Sequence, residues 1–360
     1  MINCFPGYEF TIGDDGKMHN MYRGTDVGFG GYVYAEPGMY ENVALLDVSS
    51  MHPTSIINLN KLGKYTQRYA DLREARVLIK HGDYESAGKL FDGKLKKYLV
   101  NKEEADSLSK ALKLPLNSFF GISFTQYGSR ARDVRDKNNI IALRGALFMR
   151  TLQDEVQNKG FSVVHIKTDS IKIPNATPEI IQFVMDFGKE YGYDFEHEAT
   201  YEKMCLVNNA VYIAKYSKEF GGKWTATGAQ FAVPYVFKTL FSKEPIGFKD
   251  LCEVKSVTKG EMYLDFDETL GEEEHDYQYI GRVGQFCPIL PGKGGGVLYR
   301  KSDGKYYAVT GTKGYRWLES EMVEKLGKQD DIDKSYYNRL VDEAVETITK
   351  YGDYQIFTDD

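Results

Sequence analysis

Residues Leu45 to Ile57 read LLDVSSMHPTSII: Asp47 closes an apolar run, and Ser-Ser-Met-His-Pro then leads into apolar residues again. A carboxylate where a buried strand meets a helix is costly to desolvate and needs a partner charge. A second aspartate, Asp169, lies within FSVVHIKTDSIKIPN, two β-branched runs joined by Lys-Thr-Asp-Ser, which is a hairpin pattern. If these strands are neighbours in one sheet, both carboxylates meet at its edge and can hold a hard divalent cation that keeps waters for a phosphate substrate. Two metals there would activate an attacking hydroxyl and stabilise the leaving oxygens of a phosphoryl transfer. Either aspartate alone reads more simply as a turn or cap residue. The third element is KLPLNSFFG, with Lys113 and Asn117 at i and i+4 on a basic helix whose face can reach a triphosphate, followed by Gly121, where backbone can approach closely.

The elements that must position these residues follow from periodicity. Gly- and Tyr-rich alternations before residue 45 suggest hairpins leading into the strand that ends at Asp47. From Leu62 to Leu112 the spacing is helical, with a break near Gly82 and Asp83, and predicts a lysine-rich helical hairpin. Ile140, Leu143, Leu147, Met149, Leu152 and Val156 mark a long amphipathic helix that stops before Gly160. After the hairpin around Asp169, TPEIIQFVMDFGKEYG predicts a helix with Thr177 as N-cap and Pro178 in its first turn. Strand, helix, hairpin and helix in this order describe an α+β layer, an antiparallel sheet with helices on one face. Beyond Tyr201 the chain is strand-like and turn-rich and ends in a helix; PGKGGGV from Pro291 lacks the Lys-Ser/Thr of a phosphate loop and reads as a hairpin turn.

Charge is segregated along the chain. The formal net charge is −6, yet residues 61–113 hold thirteen Lys/Arg against eight Asp/Glu, and residues 129–150 hold six against two. Acidic residues collect in LDFDETLGEEEHD from Leu264 and after Leu318, where twelve Asp/Glu face five Lys/Arg. This distribution fits a body that grips a polyanion on one face, although ordinary solvated helix faces give the same counts. No run of about 18 apolar residues is present, and the first ten residues lack the order of a secretory signal, so the expected location is cytoplasmic. Cys4, Cys205, Cys252 and Cys287 lie far apart, and the six histidines form no HExxH, so reduced core thiols are expected rather than a zinc site or disulfide framework.

The ordered set DVSSMHP, KLPLNSFFG and KTDS resembles the three polymerase motifs of B-family DNA polymerases, written DxxSLYP, KxxxNSxYG and DTDS. The segment GGYVYAEPGMYENV, which begins at Gly30 and Gly31, resembles the lead-in to the first motif, and the stretch from Gly281 to Trp317 looks like viral, phage-type members. The resemblance implies a right-hand polymerase: residues 1–60 the N-terminal segment and first part of a palm, 61–112 helical-hairpin fingers, 113–200 the second part of the palm, and 201–360 a mixed α/β thumb and C-terminal region. It makes Asp47 and Asp169 catalytic metal ligands for two Mg²⁺ ions, with Mn²⁺ able to substitute, and adds the backbone carbonyl of Val48. Ser50, Met51 and their backbone would meet the triphosphate, Lys113 would bind phosphates, and Asn117 and Phe120 would line the nucleotide pocket. His52 stands where the family has the tyrosine that closes off the sugar 2′ position. Arg76 and Lys80 match the spacing of a phosphate-binding pair on the first fingers helix, with Arg73 as a competitor. Gly30, Gly31, Gly121, Thr168, Ser170 and Tyr212, with Arg300, Lys313 and Arg316 near the glycine-rich piece, would contact DNA.

The activity implied is DNA-directed DNA synthesis from a nucleic-acid primer with dNTPs as substrates, in viral replication. Lys167 replaces the first aspartate of DTDS, which motivates an alternative: a catalytically inactive palm-fold DNA-binding subunit of a replication complex. Only 46 residues precede Asp47, too few for the family's proofreading exonuclease, so that nuclease is expected on a separate chain or absent.

Overall fold

Alternating apolar residues build the central sheet, and the periodic helices cover one of its faces. The computed structural model describes residues 4–14, 16–124, 139–267, 275 and 277–359. The basic run from Ser129 up to residue 138 and most of the acidic run after Asp267 lie outside the described residues. The chain divides into two units, one of residues 1–209 and 215–222, the other of residues 210–214 and 223–360.

The first unit begins with strands β1 (Glu9–Ile12), β2 (Met18–Tyr22) and β3 (Thr25–Asp26), which form a small sheet of their own. There follow β4 (Val33–Ala35), β5 (Gly38–Val48), α1 (Met51–Asn58), α2 (Thr66–Lys80), α3 (Tyr84–Lys89), α4 (Lys102–Phe124), α5 (Ile140–Asn158), β6 (His165–Lys167), β7 (Ser170–Pro174), α6 (Pro178–Glu190) and β8 (Phe195–Asn208). The main sheet of this unit runs β8-β5-β7-β6-β4, with every one of these pairings antiparallel. The α+β class with antiparallel sheets is therefore observed.

Period-2 alternation separates the two faces of this sheet. Ala44, Leu46 and Val48 of β5, with Ile171 and Ile173 of β7, pack with Leu143, Leu147, Leu152 and Val156 of α5 and Ile180 and Val184 of α6. These side chains are almost wholly buried, and truncating one of the leucines or isoleucines to alanine costs about 2–5 kcal/mol. The opposite face carries Leu45 and Asp47 of β5 against Lys172 and Ser170 of β7. Helix α6 starts as its sequence dictates: Thr177 Oγ1 accepts from Ile180 N, and Pro178 opens the first turn. The break near Gly82 is also present, since Asp83 caps α3 by accepting from Ser86 N.

Helices α2 and α3 bury Ala75, Ile79 and Ala87 against Ala105 and Leu112 of α4. Helix α4 is continuous across residues 112 and 113, and β8 is continuous across residues 200 and 201. Among the described residues no helix is long and apolar enough to cross a membrane.

The second unit contains β9 (Val211–Tyr216, shared with the first unit's range), β10 (Trp224–Thr227), α7 (Ala229–Ala232), α8 (Pro234–Phe237), β11 (Glu253–Ser256), β12 (Glu261–Asp265), β13 (Tyr277–Gly281), β14 (Val283–Ile289), β15 (Val297–Ser302), β16 (Lys305–Ala308), β17 (Arg316–Glu319), α9 (Ser320–Lys325), α10 (Lys334–Thr349) and α11 (Tyr354–Thr358). Two sheets, β11-β14-β17 and β13-β12-β15-β16, enclose Met262, Leu264, Phe286, Leu298 and Trp317. The glycine-rich piece after Pro291 is not a hairpin: it joins β14 of one sheet to β15 of the other. Its glycines permit close approach, because a Cβ on Gly296 would stand 2.5 Å from the Asp265 carbonyl oxygen. The thiols of Cys205, Cys252 and Cys287 are buried and unbridged, whereas Cys4 is exposed, contrary to the expectation that all four are core thiols.

Candidate functional site

A cleft of about 560 Å³ opens in the first unit where the end of β5, the turn before α1, the C-terminal half of α2 and one face of α4 meet the turn between β6 and β7. Its wall includes Asp47 and Asp169, together with Val48, Ser50, Met51, His52, Arg76, Lys80, Lys113, Asn117 and Phe120. Every residue expected to bind metal or nucleotide thus lines one cavity.

Register explains how the two aspartates meet. Asp47 lies opposite Ser170 in the β5–β7 ladder, and Val48 N donates to the Asp169 carbonyl at 2.8 Å. Asp169 is the last residue of a two-residue hairpin turn between Lys167 and Ser170. The turn is strained: Thr168 has φ +60°, a left-handed conformation that a β-branched residue rarely adopts. Gly31 supports it from behind, since Thr168 N donates to Tyr32 O at 3.0 Å and a Cβ on Gly31 would come within 2.9 Å of the Thr168 side chain. Gly31 itself has φ +137°. The turn after Asp47 has a matching feature: Ser50, before the first turn of α1, sits at φ 61° and ψ 55°.

Helix α4 presents Lys113, Asn117 and Phe120 along one face, three to four residues apart. The Phe120 ring stacks on the His52 ring of α1, with centroids 4.2 Å apart and planes 15° from parallel. His52 Nδ1 is buried without a hydrogen-bond partner, and burial lowers the pKa of its imidazole. Met51 reaches back towards α5 and packs over Gly145, where a Cβ would lie 2.6 Å from Met51 Sδ.

Helix rotation separates the cations of α2. Arg76 and Lys80 face the cleft, with Arg76 Nη1 3.4 Å from Ser50 Oγ. Arg73 lies outside the cleft lining, donating to Asp194 Oδ2 at 2.9 Å and to the Ser49 carbonyl at 3.2 Å.

Three residues outside the motifs shape the electrostatics. Glu198 also lines the cleft; it occupies a β-bulge, since Leu45 pairs with Ala199 while Leu46 pairs with His197, and bulges re-aim side chains in this way. Glu196, the direct cross-strand partner of Asp47, holds Lys80 Nζ at 2.8 Å. Lys172, only 3% exposed, donates to His165 Nδ1 at 3.0 Å, and His165 Nε2 faces the Asn209 carbonyl at 3.2 Å. Burial first, and then Asp169 and Glu198 nearby, push the Asp47 carboxyl up to about 7. Asp169 is raised as well, chiefly by burial. Burial lowers Lys172 to about 8, against the opposing pull of Asp47.

Among the described residues no three His, Cys, Asp or Glu side chains form a ready-made metal cage. Asp47 and Asp169, which line the cleft with Val48, could instead hold a cation that completes its shell with water and substrate phosphate, as Mg²⁺ does with one or two carboxylates. Two half-buried carboxylates, one of them raised further by the charge of the other, are chemically suited to a divalent ion, which would neutralise both.

The remaining expected contacts are dispersed. Thr168 and Ser170 flank Asp169, and Gly31 stands behind them, whereas Gly30 has no neighbour within 4 Å of a Cβ position. Gly121 has none either, so no close approach within the protein requires glycine there. Tyr212, Arg300, Lys313 and Arg316 belong to the second unit. Lys313 and Arg316 line one recess of about 630 Å³ there, while Arg300 lies over the Tyr307 ring at 5.4 Å.

Sequence reasoning passed over Glu196, Glu198 and Lys172. FEHEAT offered a signal, two acids at i and i+2 on a strand. Lys172 offered another, a lysine centred in the apolar strand SIKIP.

Comparison with known proteins returned no matching family model and no matching curated protein. The family B DNA polymerase from the hyperthermophilic archaeon Pyrobaculum calidifontis superposes with a TM-score of 0.46 at 13% sequence identity, covering 96% of this chain and 47% of that one. The chain thus spans about half the length of that polymerase.

Proposed function

We propose that this chain is a template-directed DNA polymerase core that adds dNTPs to a primer 3′-hydroxyl, in a phage-type B-family replication system. The observation that carries the reading is one cleft containing both Asp47 and Asp169 and, facing them, Arg76, Lys80 and Lys113. Paired carboxylates and cations in one cleft, lined also by a stacked ring pair, match a metal-bound triphosphate and its base.

In this reading Asp47 and Asp169 would hold two Mg²⁺ ions, whose charge would favour ionisation of the primer hydroxyl and departure of pyrophosphate. Arg76, Lys80 and Lys113 orient the β- and γ-phosphates, so that the α-phosphate lies in line with the attacking oxygen. Asn117 and the His52–Phe120 stack bound the sugar and base. In this reading residues 1–60 and 113–200 would serve as palm, residues 61–112 as fingers and residues 201–360 as thumb and C-terminal region.

The alternative, a DNA-binding subunit without catalysis, is favoured by Lys167, whose exposed ammonium ends β6 two residues from Asp169. Primer extension on a DNA template with Mg²⁺ and labelled dNTPs decides between them. Elongated product that disappears in Asp47→Ala and Asp169→Ala, with primer-template binding retained, is the expected result. DNA binding without any product from the folded wild-type chain overturns the polymerase reading in favour of the inactive subunit.

A further inference from the structure

Lys80 lines the cleft, yet its ammonium is already held by a carboxylate. Nζ lies 2.8 Å from Glu196 Oε2. The other carboxylate oxygen, Oε1, accepts from Ser49 Oγ at 2.5 Å and lies 3.3 Å from His81 Nε2. Glu196 therefore joins strand β8, the turn that follows Asp47, and the C-terminal end of α2. Its position one strand away from Asp47 follows from the register, in which the two residues are cross-strand partners.

We infer that Glu196 is a specificity-determining residue that occupies Lys80 in place of a polyphosphate and sets the affinity of the cleft for one. This inference rests on the triphosphate-binding reading above. An incoming polyphosphate competes with Glu196 for the same ammonium, and release is inexpensive because Ser49 and His81 stay with the carboxylate when Lys80 leaves, so no acceptor is stranded. Lys80 and Glu196 are both partly exposed, at 44% and 26%, so the contact is weak enough to yield. A structural role alone gives the opposite expectation: removing a partner of Lys80 would loosen the cleft and weaken binding. Competition makes the unusual prediction that deleting a carboxylate tightens it.

The probe is tripolyphosphate, followed by calorimetry on the full-length chain without DNA. Glu196→Gln keeps the acceptor for Ser49 and should lower the Kd about two- to fivefold, the range of a partly exposed ion pair. The gain should vanish in the Lys80→Gln background, because the two substitutions then remove the same contact. A gain that persists in Lys80→Gln would mean a general loss of negative charge and overturns the inference, as does an unchanged or raised Kd in Glu196→Gln. Glu196→Asp, one methylene shorter, supplies the same comparison with the charge kept. Tripolyphosphate binding by the wild type with no change in these variants defeats this inference alone. No binding by any form defeats the functional reading with it.

Discussion

Asp47 stands directly opposite Ser170 across the β5–β7 ladder, so Asp169, the residue before it in the turn, is one position from being its cross-strand partner. That offset lets two carboxylates 122 residues apart in the chain line a single cleft. Asp47 lies at the end of β5 and Asp169 in the turn that enters β7, strands whose other face is locked in the core, and a left-handed residue stands near each, Ser50 three residues after Asp47 and Thr168 directly before Asp169. Strain of about 1–3 kcal/mol at each such position persists only where the surroundings enforce it.

The proton affinity of Asp47 makes stability depend on pH. Its folded pKa of about 7 lies above the ordinary value of 3.8, so the folded chain holds a proton that the unfolded chain releases between about pH 4 and 7. The stability contributed by this group is complete below pH 4 and is lost as pH rises through 7. Thermal melting in EDTA should show Asp47→Asn gaining on the wild type as pH climbs from 5 to 8. Added Mg²⁺ should raise the wild-type Tm at pH 8 and leave Asp47→Asn nearly unmoved, since the ion relieves the charge that the variant lacks.

The support behind the hairpin turn can be tested separately. Gly31→Ala forces a methyl group to within 2.9 Å of Thr168 at a backbone angle of φ +137°. A loss of about 1–3 kcal/mol in stability is expected, measured by denaturant unfolding. Part of the loss should be recovered in Gly31→Ala combined with Thr168→Gly, which removes the opposing side chain. Full additivity of the two changes would place the cost elsewhere.

Sugar selection should follow the His52–Phe120 stack. With His52 at 4.2 Å from Phe120, one ring wall faces the position assigned to the sugar, so dNTPs should be preferred over rNTPs by about 10- to 200-fold, the range that one apolar wall contact provides. His52→Ala should reduce the preference with little change in kcat for dNTPs. Single-nucleotide incorporation assays give both ratios, and equal use of the two sugars by the wild type would refute this assignment.

Much of this arrangement was legible in the sequence. Asp47 at the end of an apolar run, the turn around Asp169, and the Lys113–Asn117 spacing all depend on local periodicity, and local periodicity survives folding, whereas Phe120 was marked only by the motif resemblance. What was hidden depends on pairing. Glu198 enters the cleft only because β8 bulges against Leu45 and Leu46, and a register shift leaves no mark in composition. Arg73 and Arg76 are three residues apart on α2, and only packing against the turn at Ser49 and Ser50 decides which one faces the cleft. The glycines after Pro291 looked like a hairpin because close approach to Asp265, Arg316 and Trp317 calls for the same residue as a tight turn.

The central claim is that Asp47 and Asp169 share a divalent ion. Substituting Fe²⁺ for Mg²⁺ and adding ascorbate and peroxide generates hydroxyl radicals at the bound metal, which cut the backbone beside its ligands. The account predicts fragments ending near residue 47 and near residue 169 in the same reaction, both lost in Asp47→Asn and both lost in Asp169→Asn. Cleavage at one segment only, or cleavage at residue 47 that survives Asp169→Asn, would contradict it.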